Sequence, residues 1–140
     1  HYTLIKNQEQ VQIYEAIMAN HQGEVTSSLL SAVRFVKDNR LLPKGFDKKT
    51  ADEDIAVRGV AVEDTSFKDE GDLLSYSIEV GTSRGPYYVE VMLRYQPIAF
   101  RWAQNLSAYK AEETKRFVKC YEEMAQESNV ILAQVQKVVE

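Results

Sequence analysis

The sequence predicts a mainly β fold of the α+β class, in which an antiparallel β-sandwich-like core is closed by a C-terminal helix or helix pair. Apolar and polar residues alternate over 73–80 and again over 87–95, on either side of a turn. Short apolar runs separated by turn residues recur along the chain, as they do in β-sandwiches. After residue 111 the apolar residues recur every third or fourth position, which is typical of a helix.

The composition fits a single domain. The chain has 140 residues, of which 44% are hydrophobic, and this is enough for one core. We expect residues 1–108 to form the β-rich core and residues 109–140 to pack on it within the same domain. The net charge of -4 argues against a nucleic-acid partner, because such binding needs a basic face. No apolar run approaches the roughly 20 residues that span a bilayer, so we expect no membrane insertion.

The two alternating runs are predicted to form an antiparallel hairpin. The turn between them contains Gly81, Gly85 and Pro86. Antiparallel sheets commonly bury one face, and alternation places every second side chain on that face. We therefore expect residues 73–80 to pair with residues 87–95. The side chains expected to be buried are Val89, Val91 and Leu93.

Three earlier runs are also predicted as strands. Residues 11–19 mix β-branched and aromatic side chains before a turn-forming segment, although the AIMA end also fits a helix. Residues 28–37 fit a strand or a helix equally well by spacing, and the Pro-containing loop that follows favours a strand. Residues 55–62 are predicted as a strand with Gly59 as a bulge or close-packing point.

An apolar stripe predicts the C-terminal helical segment. Glu112 and Glu113 suit its first turn, where the helix dipole stabilises carboxylates. Ser128 and Asn129 interrupt the stripe and divide the segment into two helices. We expect the aromatic first half to dock on the domain's own sheet and the second half to face a partner, including a second copy of the chain. The stripe comprises Phe117, Tyr121, Met124, Ile131 and Val135.

One loop segment combines turn-forming, charged and aromatic residues. These residues are Asp38, Asn39, Arg40, Pro43, Gly45 and Phe46. One interpretation is a binding loop in which the guanidinium of Arg40 contacts an anion. The other is a strand-to-loop corner held by a pair between Arg40 and a carboxylate, with Phe46 as anchor. We favour the corner, because a lone arginine is weak support for a site.

The segment 63–72 is acidic, and oxygen ligands of this kind can hold Ca²⁺. The spacing does not match an EF-hand loop. We therefore favour a solvated loop in which Asp72 caps a turn into the next strand. The acidic residues are Glu63, Asp64, Asp69, Glu70 and Asp72.

The residues that most often carry chemistry are few. No further metal ligands lie near His1 or His21 in sequence, so we expect no metal site. We expect His21 to be solvent-exposed in a turn, with a distal bond to a haem elsewhere in an assembly as the alternative. Cys120 is the single cysteine and is expected to be a small buried helix residue. No catalytic motif is present, and we expect no catalytic residue and no cofactor in this segment.

The aromatic residues of the second half of the chain allow two interpretations. They pack as core, with Trp102 beneath the helix, or they form a platform for a sugar or peptide. We favour the core because aromatic side chains dominate core energetics. The residues concerned are Tyr87, Tyr88, Tyr95, Phe100, Trp102 and Tyr109.

A series of segments resembles a known family. The string KDNRLLPKGF, preceded by VQIYEAIM, is similar to the C-terminal domain of some exported multihaem cytochromes c. The same likeness extends in order through GVAVEDTSF, GDLLSYSIEV, VEVMLRYQP, FRWAQNL, ETKRFVKCYEEM and SNVILAQ, over nearly the whole chain. The chain departs from the family's full-length pattern because it contains no CxxCH haem-attachment motif.

The resemblance implies a function without catalysis in this segment. Such domains are β-sandwich-like, and the c-type haems belong to the preceding part of the protein. The resemblance implies an accessory domain of an electron-transfer protein in the periplasm or outside the cell. Its partners would be the remainder of its own chain or a redox protein. The rival interpretations are a carbohydrate-binding sandwich and a helix-mediated assembly module.

Overall fold

A computed structural model describes residues 1–140 and shows a mixed α+β fold with seven strands and two α-helices. The chain divides into two compact units, His1–Glu79 and Val80–Glu140, so residues 109–140 share a unit with β6 below. The first unit contains β1 (Leu4–Ile5), β2 (Ala16–Ala19), β3 (Val25–Thr26), β4 (Arg34–Asp38) and β5 (Ser75–Tyr76). The second contains β6 (Tyr87–Tyr95), α1 (Phe100–Leu106), α2 (Glu112–Met124) and β7 (Val130–Val139).

In the first unit, β2 lies between β3 and β4 in an antiparallel sheet. The turn from β2 to β3 is held by Asn20, whose Oδ1 accepts hydrogen bonds from the backbone of Gln22 and Glu24. Gly23 adopts a positive φ of 84° in this turn. The AIMA segment is therefore a strand, and the predictions for 11–19 and 28–37 are confirmed over the shorter stretches that form β2 and β4.

The predicted strand over 55–62 is wrong. Glu53–Ile55 and Gly59–Val62 are short 3₁₀ helices instead. Gly59 has a φ of +79°, and a Cβ there would lie 3.3 Å from the carbonyl oxygen of Val36. Glycine is required at this close approach, as the sequence suggested, but the backbone turns rather than extends.

The interior of the first unit is small. Phe67 and Ala61 are fully buried and Val57 is 7% exposed. Three partly buried side chains pack against this cluster, namely Tyr14, Leu42 and Phe46. The second 3₁₀ helix places Ala61 inside this interior.

The predicted hairpin between 73–80 and 87–95 is wrong. Within the first run, β5 pairs in parallel with β1, Leu4 opposite Ser75 and Ile5 opposite Tyr76. Strand β6 pairs with β7 instead, from Tyr87 opposite Val139 to Tyr95 opposite Val130. Alternation specifies the two faces of a strand but not its partner, and this is why the pattern was assigned to the wrong pair.

The prediction of a helix beyond Ser128 is also wrong, because Val130–Val139 is strand β7. Ile131 and Val135 are four residues apart, a spacing that fits a regular strand as well as a helix. The β-branched residues of the segment favour the strand. The predicted burial of Val91 and Leu93 does not occur, since they are 41% and 37% exposed.

Helix α2 follows the prediction at its start, whereas α1 lies within residues 1–108, which were predicted to be β-rich. Helix α2 begins at Glu112, with Glu112 and Glu113 in its first turn, and it packs against α1. The expected docking of Phe117 in a sheet is wrong, because its side chain is 37% exposed. Cys120 and Trp102 were predicted to be buried, and both are exposed. Neither helix is long and apolar enough to span a bilayer.

Candidate functional site: a buried histidine–carboxylate cluster

Three ionisable side chains meet inside the first unit, and we call them the His1 cluster. The Nε2 atom of His1 lies 2.9 Å from Oδ2 of Asp64 and 3.8 Å from Oδ2 of Asp72. Their side chains are only 1%, 6% and 1% exposed, respectively. The expectation that no metal-ligand type of residue surrounds His1 is therefore wrong, because the ligand atoms of all three residues lie within 4.8 Å of one another.

The parallel pairing of β1 with β5 brings these residues together. Leu4 lies opposite Ser75, an offset of 71 positions (75 − 4 = 71). The same offset carries His1 onto Asp72 (72 − 1 = 71), three residues before each strand. Asp64 and Asp72 flank Phe67, whose ring meets the His1 ring edge-on at a centroid distance of 5.2 Å.

Asn39 fixes one side of the His1 ring. Its Oδ1 accepts a hydrogen bond from the backbone N–H of Glu15 at 3.0 Å, and its Nδ2 donates to the carbonyl oxygen of Ile13 at 3.1 Å. These two backbone bonds set the orientation of the amide. Nδ2 also donates to Nδ1 of His1 at 3.0 Å. Asn39 is fully buried, so the loop residue expected only to shape a turn orients the histidine.

Gln12 is a second hydrogen-bond donor to Nδ1 of His1. Its Oε1 accepts from the backbone N–H of Tyr2 at 2.9 Å, and its Nε2 donates to Nδ1 of His1 at 2.8 Å. With two donors at Nδ1, that nitrogen is an acceptor and Nε2 carries the hydrogen. The imidazole is therefore neutral and donates from Nε2 to Asp64.

The two carboxylates receive neutral donors. Oδ1 of Asp64 accepts from the backbone N–H of Ser66 at 2.8 Å and from its hydroxyl at 2.7 Å. Oδ2 of Asp72 accepts from the hydroxyl of Tyr14 at 2.8 Å. Burial, and then the hydrogen bond to Asp72, raise the pKa of Tyr14 well above its ordinary value, so the phenol remains a donor.

The acidic segment 63–72 thus has two roles. Asp64 and Asp72 point inward, so the expectation that the segment is a solvated loop is wrong for them. Asp69 accepts a hydrogen bond at 2.9 Å from the backbone N–H of Gly45. Glu63 and Glu70 are exposed. The Ca²⁺ hypothesis predicted a site formed by residues of the loop alone. Asp64 and Asp72 instead lie next to His1, which is distant from them in sequence.

Arg40 lies at the corner that sequence analysis favoured. Its Nε and Nη2 donate to the two oxygens of Asp38 at 2.9 and 2.6 Å. This hydrogen bonding raises the pKa of Arg40. Asp38 is buried and continues the sheet through paired backbone hydrogen bonds with Arg58. The guanidinium of Arg40 is engaged by its own neighbour, and an anion would have to compete with Asp38.

The end of the same loop closes onto the interior. The backbone N–H of Phe46 donates to the carbonyl oxygen of Pro43, and Phe46 packs against the cluster around Phe67. Gly45 has a φ of +85° and donates to Asp69. Gly45 and Phe46 also line an open cleft of about 540 Å³. His21 lies elsewhere, exposed in the turn between β2 and β3 as predicted.

Comparisons of this chain with protein-family models, with curated proteins and with solved structures gave no match.

Proposed function

We propose that this chain is a non-catalytic interaction domain of an exported multihaem cytochrome c-like electron-transfer protein, located in the periplasm or outside the cell. The observation that supports an interaction role is the accessible apolar face of the ribbon formed by β6 and β7. The sequence resemblance supports the cytochrome context and implies that haem c is bound by another part of the protein.

The apolar face follows from the register of the ribbon. Val91 lies opposite Val135, and Tyr95 lies opposite Val130. The exposed fractions of these four side chains are 41%, 62%, 54% and 53%, respectively. Contiguous exposed apolar surface of this kind marks protein interaction sites, because covering it removes apolar area from water.

The opposite face carries the polar side chains Glu90, Gln134 and Gln136 beside the exposed apolar Tyr88 and Val138. Oε1 of Glu90 accepts hydrogen bonds from Gln134 at 2.7 Å and from Gln136 at 2.6 Å. These bonds lower the pKa of Glu90, so its carboxylate suits a solvated surface. The face of Val91 and Val135 is therefore the more apolar of the two, although it includes Lys137 opposite Val89.

A second sheet layer would complete the ribbon. A two-stranded ribbon is marginally stable alone, and β7 offers a ten-residue strand with Lys137 as its single charge. We infer that the haem-bearing remainder of the protein covers the apolar face. The β-sandwich-like core predicted for residues 1–108 is not confirmed in this chain, whose strands lie in separate sheets of two, three and two strands.

The test begins with the complete coding sequence, in which CxxCH motifs are expected outside this chain. The full-length protein is then prepared with Val135→Lys, on the apolar face, and with Gln134→Lys, its neighbour on the polar face. We expect Val135→Lys to lower the midpoint of thermal unfolding by several degrees and Gln134→Lys to leave it nearly unchanged. Amide hydrogen exchange of β6 and β7 should slow in the full-length protein relative to the isolated chain.

Three results would contradict the proposal. A coding sequence without haem-attachment motifs removes the cytochrome context. If the two lysine variants lower the midpoint of thermal unfolding equally, the face of Val135 does not contact a partner. A dimer of the isolated chain that Val135→Lys dissociates assigns the face to a second copy. This homo-oligomer was expected through a C-terminal helix and would instead use strand β7.

The exposed aromatic residues favour a second candidate, a carbohydrate-binding module. Tyr88 is 82% exposed, and Phe100 and Tyr109 are about half exposed. Stacking on such rings is a usual way to hold a sugar. Affinity electrophoresis in gels containing soluble polysaccharides checks this candidate, and retardation that Tyr88→Ala abolishes would favour it over the interaction domain.

A further inference from the structure

We propose that His1, Asp64 and Asp72 form a binding site for one divalent transition-metal ion of the Zn²⁺ or Mn²⁺ class, coordinated by Nε2 and the two Oδ2 atoms. This inference does not depend on the cytochrome context. It rests on the separation of the donor atoms, on the buried charge and on an amide that can exchange a donor for an acceptor.

The donor atoms are spaced for a small cation. An ion with bonds of about 2.1 Å places neighbouring ligand atoms roughly 3.0–3.4 Å apart in octahedral or tetrahedral geometry. The Nε2 atom of His1 lies 2.9 Å from Asp64 and 3.8 Å from Asp72. All three donor atoms lie within 4.8 Å of one another, so the side chains of the cluster would have to move closer together around an ion. One nitrogen and two carboxylate oxygens are ligands that suit Zn²⁺ and Mn²⁺.

The buried charge also favours a cation. Asp64 and Asp72 are enclosed beside a neutral imidazole, and their other donors are the uncharged groups of Ser66, Tyr14 and Gln12. Two buried carboxylates without a cationic partner are costly. The ammonium of Lys48 donates to the backbone carbonyls of Asp64 and Ala61 rather than to a carboxylate. A divalent ion would balance both charges.

Coordination changes the histidine tautomer. The Nε2 lone pair forms the bond to the metal, so the hydrogen of the neutral imidazole moves to Nδ1 and no proton leaves the ring. Metal-bound histidines normally donate this hydrogen to an acceptor. Asn39 cannot provide one, since two backbone bonds hold its amide. Gln12 can, because rotating its amide gives up the bond from the backbone of Tyr2 and the 3.4 Å bond to Asp72. The amide of Asn39 loses its bond to Nδ1 in the same step and keeps its two backbone bonds.

The positioning role of Gln12 yields a specific test. Isothermal titration of the intact chain with ZnCl₂ and MnCl₂ should show one saturable site, with CaCl₂ binding more weakly. Asp72→Asn should weaken binding at least tenfold. Gln12→Glu should tighten it about tenfold, because a carboxylate always accepts from Nδ1–H and strengthens a metal-bound histidine. A merely structural role for Gln12 would not produce tighter binding.

The matched controls are Glu63→Gln, in the same acidic segment, and His21→Ala, in an exposed turn; both should bind as the unaltered chain does. Circular dichroism checks that every variant is folded. If Asp72→Asn is unfolded, Asp64→Asn and the tightening by Gln12→Glu decide the question. The proposal is overturned if no one-to-one binding is found. It is also overturned if folded Asp72→Asn and Gln12→Glu bind with unchanged affinity, which would place the ion on surface groups.

Discussion

In the first unit Phe67 and Asn39 are completely enclosed, whereas in the second unit every residue of β7 is exposed. The two units have similar proportions of apolar residues along their strands, so composition does not explain the contrast. The first unit folds its loops over a small interior that is held by hydrogen bonds between distant segments. The second presents a regular ribbon whose apolar face has no cover. Regular secondary structure and a closed core are therefore separate properties of this chain.

The largest expected effect lies at the centre of the closed core. Phe67→Ala removes a fully buried ring that contacts His1 and Tyr14, and we expect it to reduce the free energy of unfolding by about 3–5 kcal/mol. Leu93→Ala in the ribbon, at 37% exposure, should cost much less. Urea unfolding of both variants measures the difference. Equal losses would show that the ribbon face is buried in solution.

The next effect concerns the polar part of that core. Asn39→Ala removes the acceptor for the backbone N–H of Glu15 and the donor to Ile13 and His1. Leaving these buried groups without partners should cost about 2–4 kcal/mol. Asn20→Ala is the control, because Asn20 makes similar local bonds in an exposed turn. A smaller loss at Asn39 than at Asn20 would contradict a structural role for the His1 cluster.

Tyr14→Phe tests the same cluster with a smaller change. Loss of the hydroxyl bond to Asp72 should cost about 1–2 kcal/mol at neutral pH. The folded-state pKa of Tyr14 is raised above the ordinary value of 10.0, so its contribution is full below pH 10 and declines as pH rises further. The stability gap between the unaltered chain and Tyr14→Phe should therefore narrow above pH 10. A stability difference between the two chains that grows above pH 10 would contradict a stabilising hydrogen bond from Tyr14 to Asp72.

The contrast between the units also explains which structural features could be predicted. Strand β4 and the start of α2 have local signals, namely the Pro-containing loop after β4 and Glu112 and Glu113 in the first turn of α2. The ribbon was missed because Ile131 and Val135 satisfy helical and strand spacing alike. Parallel pairing of β1 with β5 has no local signal, since its partners are 71 positions apart.

The His1 cluster was missed for the same reason. Asp64 and Asp72 were recognised as acidic residues and His1 as a histidine, but only the parallel register places them together. Asn39 was identified within its loop, yet its hydrogen bonds to residues 13 and 15 depend on where the chain returns. The Asp64-Thr65-Ser66 turn was the one local signal, because its backbone bond fixes the carboxylate of Asp64.

The smallest expected effect is at the loop corner, where Arg40 and Asp38 differ in exposure. The side chain of Arg40 is 59% exposed and that of Asp38 is 7% exposed. Arg40→Ala should change the free energy of unfolding by less than about 1 kcal/mol, because solvent screens an exposed guanidinium. Asp38→Ala should cost more, since it also removes the acceptor for the backbone N–H of Arg40. Urea unfolding of both variants, repeated in high salt, measures the two losses. A larger loss of unfolding free energy for Arg40→Ala than for Asp38→Ala would show that the corner depends on the guanidinium itself. The guanidinium of Arg40 also lies 5.7 Å from the centre of the Phe35 ring, and this cation–π contact would then be the interaction to examine.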